Sequence, residues 1–166
     1  PFERTSQQMV TYKLTYTMQM DEEWHSRLIR VQVSSHLPKL TRGCTLSISR
    51  DGVWKHRSGN MTPDTRYMTD ILDFTLDVTP ALRVQQVRRL ELAADDDDYV
   101  DVARLTLPDF GLSPVSTTLA RTGENVYECL ETIGLYAYES TFTVDDLGLV
   151  LDQEGSWTRI DDVAGT

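Results

Sequence analysis

The segment Leu72–Leu92, LDFTLDVTPALRVQQVRRLEL, decides how the rest of the chain is read. Its first part alternates, with Leu72, Phe74, Leu76 and Val78 on one side and Asp73, Thr75 and Asp77 on the other. A period of two marks a strand with one buried face. Thr79-Pro80 interrupts the pattern, and residues 84–92 read as a second strand. In that register Val84, Arg88, Leu90 and Leu92 share the core face, while Arg89 and Glu91 point to solvent. An arginine among core residues must pair, reach water or face a ligand anion, because an unpartnered buried guanidinium is prohibitively costly. Arg88 therefore has three readings. It is a structural ion pair with Asp73, Asp77 or another acid; it is a hand for a polar or anionic head group; or the register is one residue out and exchanges it with Arg89.

Alternation recurs on both sides of this segment. Val10, Tyr12, Leu14, Tyr16 and Met18 oppose Thr11, Lys13, Thr15 and Thr17, and Ile29, Val31 and Val33 repeat the pattern. Cys44, Leu46 and Ile48 lead into Asp51-Gly52 and then Val53-Trp54, the signature of a hairpin. Further strands are expected over 71–78, 99–107, 125–130, 134–144, 148–152 and 156–160, with turn formers between them. The one helical candidate is Ser113–Gly123, with Ser113 as cap, Pro114 in the first turn and Gly123 as terminator. The fold class is mainly β, antiparallel strands forming a roll, barrel or sandwich. Residues 1–166 are expected to be a single domain, with 1–9 a flexible or truncated start and 161–166 a flexible tail.

The chain carries a formal net charge of −10, unevenly spread. Residues 1–68 hold 10 Lys and Arg against 6 acids, and residues 69–166 hold 6 against 20. Such acidity repels a phosphate backbone and argues against nucleic acid as a partner. No apolar run approaches the ~20 residues of a membrane helix, so no transmembrane segment is expected, and no secretory signal is visible. Cys44 and Cys129 have neither zinc-site nor thioredoxin spacing. Their simplest reading is two buried thiols in a reducing, cytoplasmic compartment, with a disulfide as the alternative.

Chemistry-bearing patterns are sparse. Asp95–Asp98 lacks the spacing of a calcium loop and reads as a solvated hairpin tip. His25, His36 and His56 have no partner at metal-ligand spacing, so no metal and no cofactor are expected. Asp145-Asp146 fits turn chemistry better than a pair of acid and base catalysts. Tyr12, Tyr16, Phe74, Tyr136, Tyr138 and Phe142 fall mostly on apolar phases, which suits a core or the wall of a sugar or lipid site.

The order of these elements resembles the glycolipid-binding family. Asp77, Thr79, Pro80, Arg88, Arg89 and Leu90 match that family's central signature. Phe142, Val144, Asp145, Gly148, Leu149, Val150, Trp157 and Arg159 match its closing one. Trp24 with Arg27, and Asp51-Gly52 with Trp54, match earlier parts, so the likeness runs from Tyr12 to Ile160. Three positions depart from it: Leu82-Arg83 stands where relatives have Thr-Asn, and Gln86 stands where they have proline. The resemblance implies strands curled into a spiral β-roll, a half-open barrel around one short helix. It further implies non-enzymatic binding of a glycolipid or similar amphiphile.

On this reading the partner is a glycolipid or acyl-chain ligand. Tyr12, Tyr16, Phe74, Leu90 and Tyr138 are the expected apolar wall, and Arg88 the hand for the polar head. The alternative is a structural or protein-interaction domain, filled by its own side chains and offering edge strands or its acidic half to a partner. A hydrolase using Asp145 and Asp146 is the third option, and no spacing calls for it.

Overall fold

The computed structural model describes residues 12–36 and 39–160. Val10 and Thr11 of the first expected strand, and the expected flexible segments 1–9 and 161–166, lie outside them. Four antiparallel strands form one sheet in chain order: β1 (Tyr12–Met20), β2 (Ser26–His36), β3 (Lys39–Ile48) and β4 (Trp54–Ser58). The second sheet has seven strands in the order β11, β10, β9, β8, β7, β6, β5. These are β5 (Asp73–Leu76), β6 (Asp97–Thr106), β7 (Gly111–Arg121), β8 (Val126–Ile133), β9 (Tyr136–Val144), β10 (Val150–Gln153) and β11 (Trp157–Thr158). This sheet curls through 216° around one short helix, α1 (Val84–Leu90), which makes the molecule a spiral β-roll. Its strands are antiparallel except at one edge, where β5 runs parallel to β6. The chain returns from β5 to β6 through α1, and that crossover permits the parallel pairing.

Two expectations from the sequence fail, and they fail together. Residues 84–92 are not a strand: Pro80–Arg83 forms a 3₁₀ turn that leads straight into α1. The start signals are local. Thr79 Oγ1 accepts the Ala81 N–H at 3.2 Å, and Pro80 takes the first helical position. Val84, Val87 and Leu90 recur every three residues, and Gln, Arg and Leu favour helix. Conversely, Ser113–Gly123 is not a helix but most of β7. There Val115, Thr117 and Leu119 are buried in alternation, and β-branched residues suit the pleat. Pro114 is tolerated because the pairing of β7 with β8 begins only at Ser116.

Two cores follow from the two layers. In one, Ile29, Leu46 and Trp54 of the small sheet pack on Phe74, Leu105 and Phe110. In the other, Val87 meets Leu119, Tyr127, Phe142 and Val150 on the inner face of the roll. A fully buried glutamine stitches helix to sheets. Gln85 Oε1 accepts from Ser26 Oγ at 2.9 Å and from the Phe74 N–H at 3.2 Å. Its Nε2 donates to the Leu72 carbonyl at 3.1 Å and to Asp73 Oδ1 at 3.0 Å. All four hydrogen-bonding positions of the amide are used, so its burial carries no penalty for an unmade bond.

Candidate ligand-binding site

The two arginines that open the question exchange roles once the segment is helical. Arg89, expected at the surface, donates from Nε to Asp73 Oδ1 at 3.1 Å and from Nη2 to Oδ2. Asp73 is wholly buried; burial pushes its pKa up, and Arg89 offsets part of that rise. Arg88, expected in the interior, instead reaches sideways to a loop. Its Nε donates to the Leu147 carbonyl at 2.8 Å and its Nη2 to the Asp146 carbonyl at 2.9 Å. Successive helical residues lie about 100° apart, so neighbours on α1 can serve unrelated partners where strand neighbours would only alternate.

The loop that Arg88 holds is the closing signature of the sequence. Asp145 Oδ1 accepts the Leu147 and Leu149 N–H groups at 3.0 and 2.9 Å, and Oδ2 accepts from Arg159 Nη1 at 2.7 Å. Arg159 holds the Asp145 carboxyl below its usual pKa. Gly148 sits at φ +76°, where a Cβ would come within 3.2 Å of Val87 Cγ1. Asp145, Gly148, Arg159 and Arg88 thus form a structural clasp between roll and helix.

Two adjoining depressions lie elsewhere, and Val78, Thr79 and Trp157 line both. The first has a volume of about 380 Å³ and a polar lining that includes Asp77, Arg83, Arg104, Glu131, Gln153 and Ser156. The second, of about 520 Å³, is walled by Tyr12, Leu14, Tyr16, Val33, Leu107 and Pro108. Of the residues expected from the sequence, Tyr12 and Tyr16 fall in the apolar depression and Tyr138 in the polar one. Burial raises the Tyr16 pKa. Phe74, Leu90 and Arg88 line neither. Phe74 is fully buried with its ring 6.3 Å from that of Trp54, and Leu90 packs against the core inside the roll.

The polar compartment is organised by a buried arginine that the strand reading missed. Arg83 closes the 3₁₀ turn and is 6% exposed. Its Nη2 donates to Glu131 Oε1 at 3.1 Å and its Nη1 to Cys129 Sγ at 2.9 Å, with the guanidinium 5.4 Å from the Phe142 ring centre. Burial nevertheless keeps the Cys129 thiol above its usual pKa. Arg104 reaches the other Glu131 oxygen at 3.4 Å. Asp77 accepts the Leu107 N–H with both oxygens, each at 3.2 Å. Two guanidiniums thus share the Glu131 carboxylate, and the Asp77 carboxylate lines the same depression. Sequence signals for this site existed: Glu131 shares the buried phase of Tyr127 and Cys129 on β8, and Arg83 occupies a position where the chain departs from the family pattern.

Comparison with known proteins agrees with this architecture. The family model described as "Putative glycolipid-binding" matches residues 3–159. A crystal structure of a DUF1089-family protein from Pseudomonas aeruginosa superposes with a TM-score of 0.76 at 23% identity, covering 96% of this chain and 82% of that one. At that identity the likeness concerns the fold. No curated protein matches the chain.

Proposed function

The chain belongs to the family described as "Putative glycolipid-binding", and we propose that it binds an amphiphile with an uncharged, hydroxyl-rich head, a glycolipid or a like molecule. The family's description is of binding and not of catalysis. The observation that carries the reading is the junction at Val78, Thr79 and Trp157, where a polar compartment opens into an apolar one. An amphiphile has that same division within one molecule. Tyr12, Leu14, Tyr16, Val33, Leu107 and Pro108 receive its chain. The polar compartment receives its head. Arg83 and Arg104 are balanced there by Glu131 and Asp77, so the lining has no net charge to offset an ionic head group. A sugar hydroxyl both donates and accepts, and serves the arginine and carboxylate groups together. Trp157 and Tyr138 add flat apolar faces for its ring. Arg83 takes the part that the sequence assigned to Arg88. No helix among the described residues is long and apolar enough to cross a membrane, and the free thiols of Cys44 and Cys129 suit a reducing compartment such as the cytoplasm.

The test compares three head groups on one chain. Octyl β-glucoside, octyl sulfate and octyltrimethylammonium are titrated as monomers while tryptophan emission is followed. The glucoside saturates, the two ions bind more weakly, and Tyr138→Ala weakens the glucoside several-fold. Preference for the sulfate, or absence of saturation with all three, contradicts the proposal.

A further inference from the structure

The small sheet turns its outer face to solvent, and the amphiphile site uses only its inner one. Register defines that outer face row by row. One row crosses all four strands as Thr17, Arg30, Thr45 and Arg57; the next outward row on one side ends in Lys55, and the second on the other side begins with Lys13. Lys13, Arg30, Lys55 and Arg57 are exposed, and the outward positions of these strands include no acid among the described residues. Nor does any of the four cations make an ion pair among the described residues. Arg30 and Arg57 lie two strands apart, roughly 10 Å, beside a depression of about 470 Å³ that Gly43 also lines. A Cβ at Gly43 would come within 2.8 Å of the Val31 carbonyl, so this part of the face stays free of a side chain. The rest of the molecule has the opposite sign, since residues 69–166 hold 20 acids against 6 cations.

Four exposed cations gathered on one face of an acidic protein, with no ion pair among the described residues, are left without a partner that the fold supplies. We propose that this face docks the protein on an anionic bilayer surface. Charge selects the sign of the partner, and the acidic remainder orients the molecule. Beyond the Debye length of about 8 Å that remainder is screened and does not cancel the contact. The choice of a bilayer rests on the amphiphile-binding reading, since such a ligand has to be collected from a membrane. Nucleic acid fits less well: the outward positions of these strands carry no Phe, Trp or Tyr among the described residues, and a longer polyanion would run past the sheet of a protein whose remaining charge is acidic.

The experiment is co-sedimentation with phosphatidylcholine vesicles, with and without phosphatidylserine, at physiological salt. Each cation near such a surface contributes roughly fivefold in affinity. The wild type binds only the vesicles with phosphatidylserine and releases at high salt. Arg30→Glu/Arg57→Glu lowers that affinity at least about twenty-fold and leaves octyl β-glucoside binding unchanged. Equal binding to both vesicles, or an unaffected double variant, overturns the proposal. So does displacement by millimolar inorganic phosphate at constant ionic strength, which reveals a soluble-anion site, or tighter binding to duplex DNA. Failure to bind the glucoside refutes the pocket reading alone, because vesicle binding is read in a separate assay.

Discussion

Replacing each of the two neighbouring arginines by alanine separates the helical account from the strand account. Arg89→Ala removes both guanidinium hydrogen bonds from Asp73, a carboxylate with no exposed surface. Stranding one partner of a buried pair typically costs about 3–5 kcal/mol. Gln85 Nε2 still donates to Asp73 Oδ1 at 3.0 Å, which places the expected loss near the lower figure, about 3 kcal/mol. Arg88→Ala removes two hydrogen bonds to backbone carbonyls at a solvent-facing loop, worth about 1–2 kcal/mol together. For a chain of this size these losses correspond to falls in melting temperature of roughly 6–12 °C and 2–8 °C. The pH dependence supplies an internal check. Burial already raises the Asp73 pKa in the wild type, and without Arg89 it rises further. A group whose pKa is raised on folding stabilises below its unfolded value, near 4, and that contribution is lost as pH climbs through the folded one. The deficit of Arg89→Ala is therefore smallest near pH 4 and largest at neutrality. Urea unfolding of both variants across that range measures it. A larger loss for Arg88→Ala, or a deficit for Arg89→Ala that does not change with pH, is incompatible with the buried Arg89–Asp73 pair.

Three further outcomes follow from the same contacts. Gly148→Ala forces a side chain onto a residue at φ +76° and against Val87, and is expected to cost about 1–3 kcal/mol in thermal unfolding; an unchanged melting temperature contradicts the clasp. His56 is buried with both ring nitrogens unpartnered among the described residues, and burial lowers its pKa. The unfolded chain then binds more protons below about pH 6.5, so stability falls as pH drops from 7 toward 5. His56→Leu flattens that stretch of the profile, and a slope that persists in the variant disproves its origin in His56. Cys44 and Cys129 are free and buried, with the Cys44 thiol pushed up to about 12, so a thiol reagent at pH 8 should label them only as fast as the chain opens. Labelling that outpaces unfolding measured by hydrogen exchange argues against that burial.

The fold was legible wherever one face of a strand is wet. Tyr12 to Met18, Ile29 to Val33 and Cys44 to Ile48 alternate as written, and Asp51-Gly52 makes its turn with Gly52 at φ +70°. The helix escapes the sequence reading because Val84 to Val87 are all buried, which leaves no wet face to mark its period, and seven residues sample too few turns to separate period two from 3.6. Thr79-Pro80 breaks a strand, and the same pair also starts a helix. The candidate site is legible in part. Tyr12, Tyr16 and Tyr138 sit on strands whose alternation fixed their facing, whereas Arg83 depended on the turn that delivers it. Its pairing with Glu131 spans 48 positions of sequence and comes from the curl of the sheet, which no local pattern encodes.

On the proposed function one ligand spans both compartments, its head beside Glu131 and its chain along Tyr12 and Tyr16. Calorimetric titration with a series of alkyl β-glucosides of increasing chain length tests it most directly. If the chain lies in the apolar depression, each added methylene strengthens binding by about 0.8 kcal/mol, close to fourfold, until the groove is filled. An affinity that stays flat along the series, or no saturable heat at any length, contradicts it.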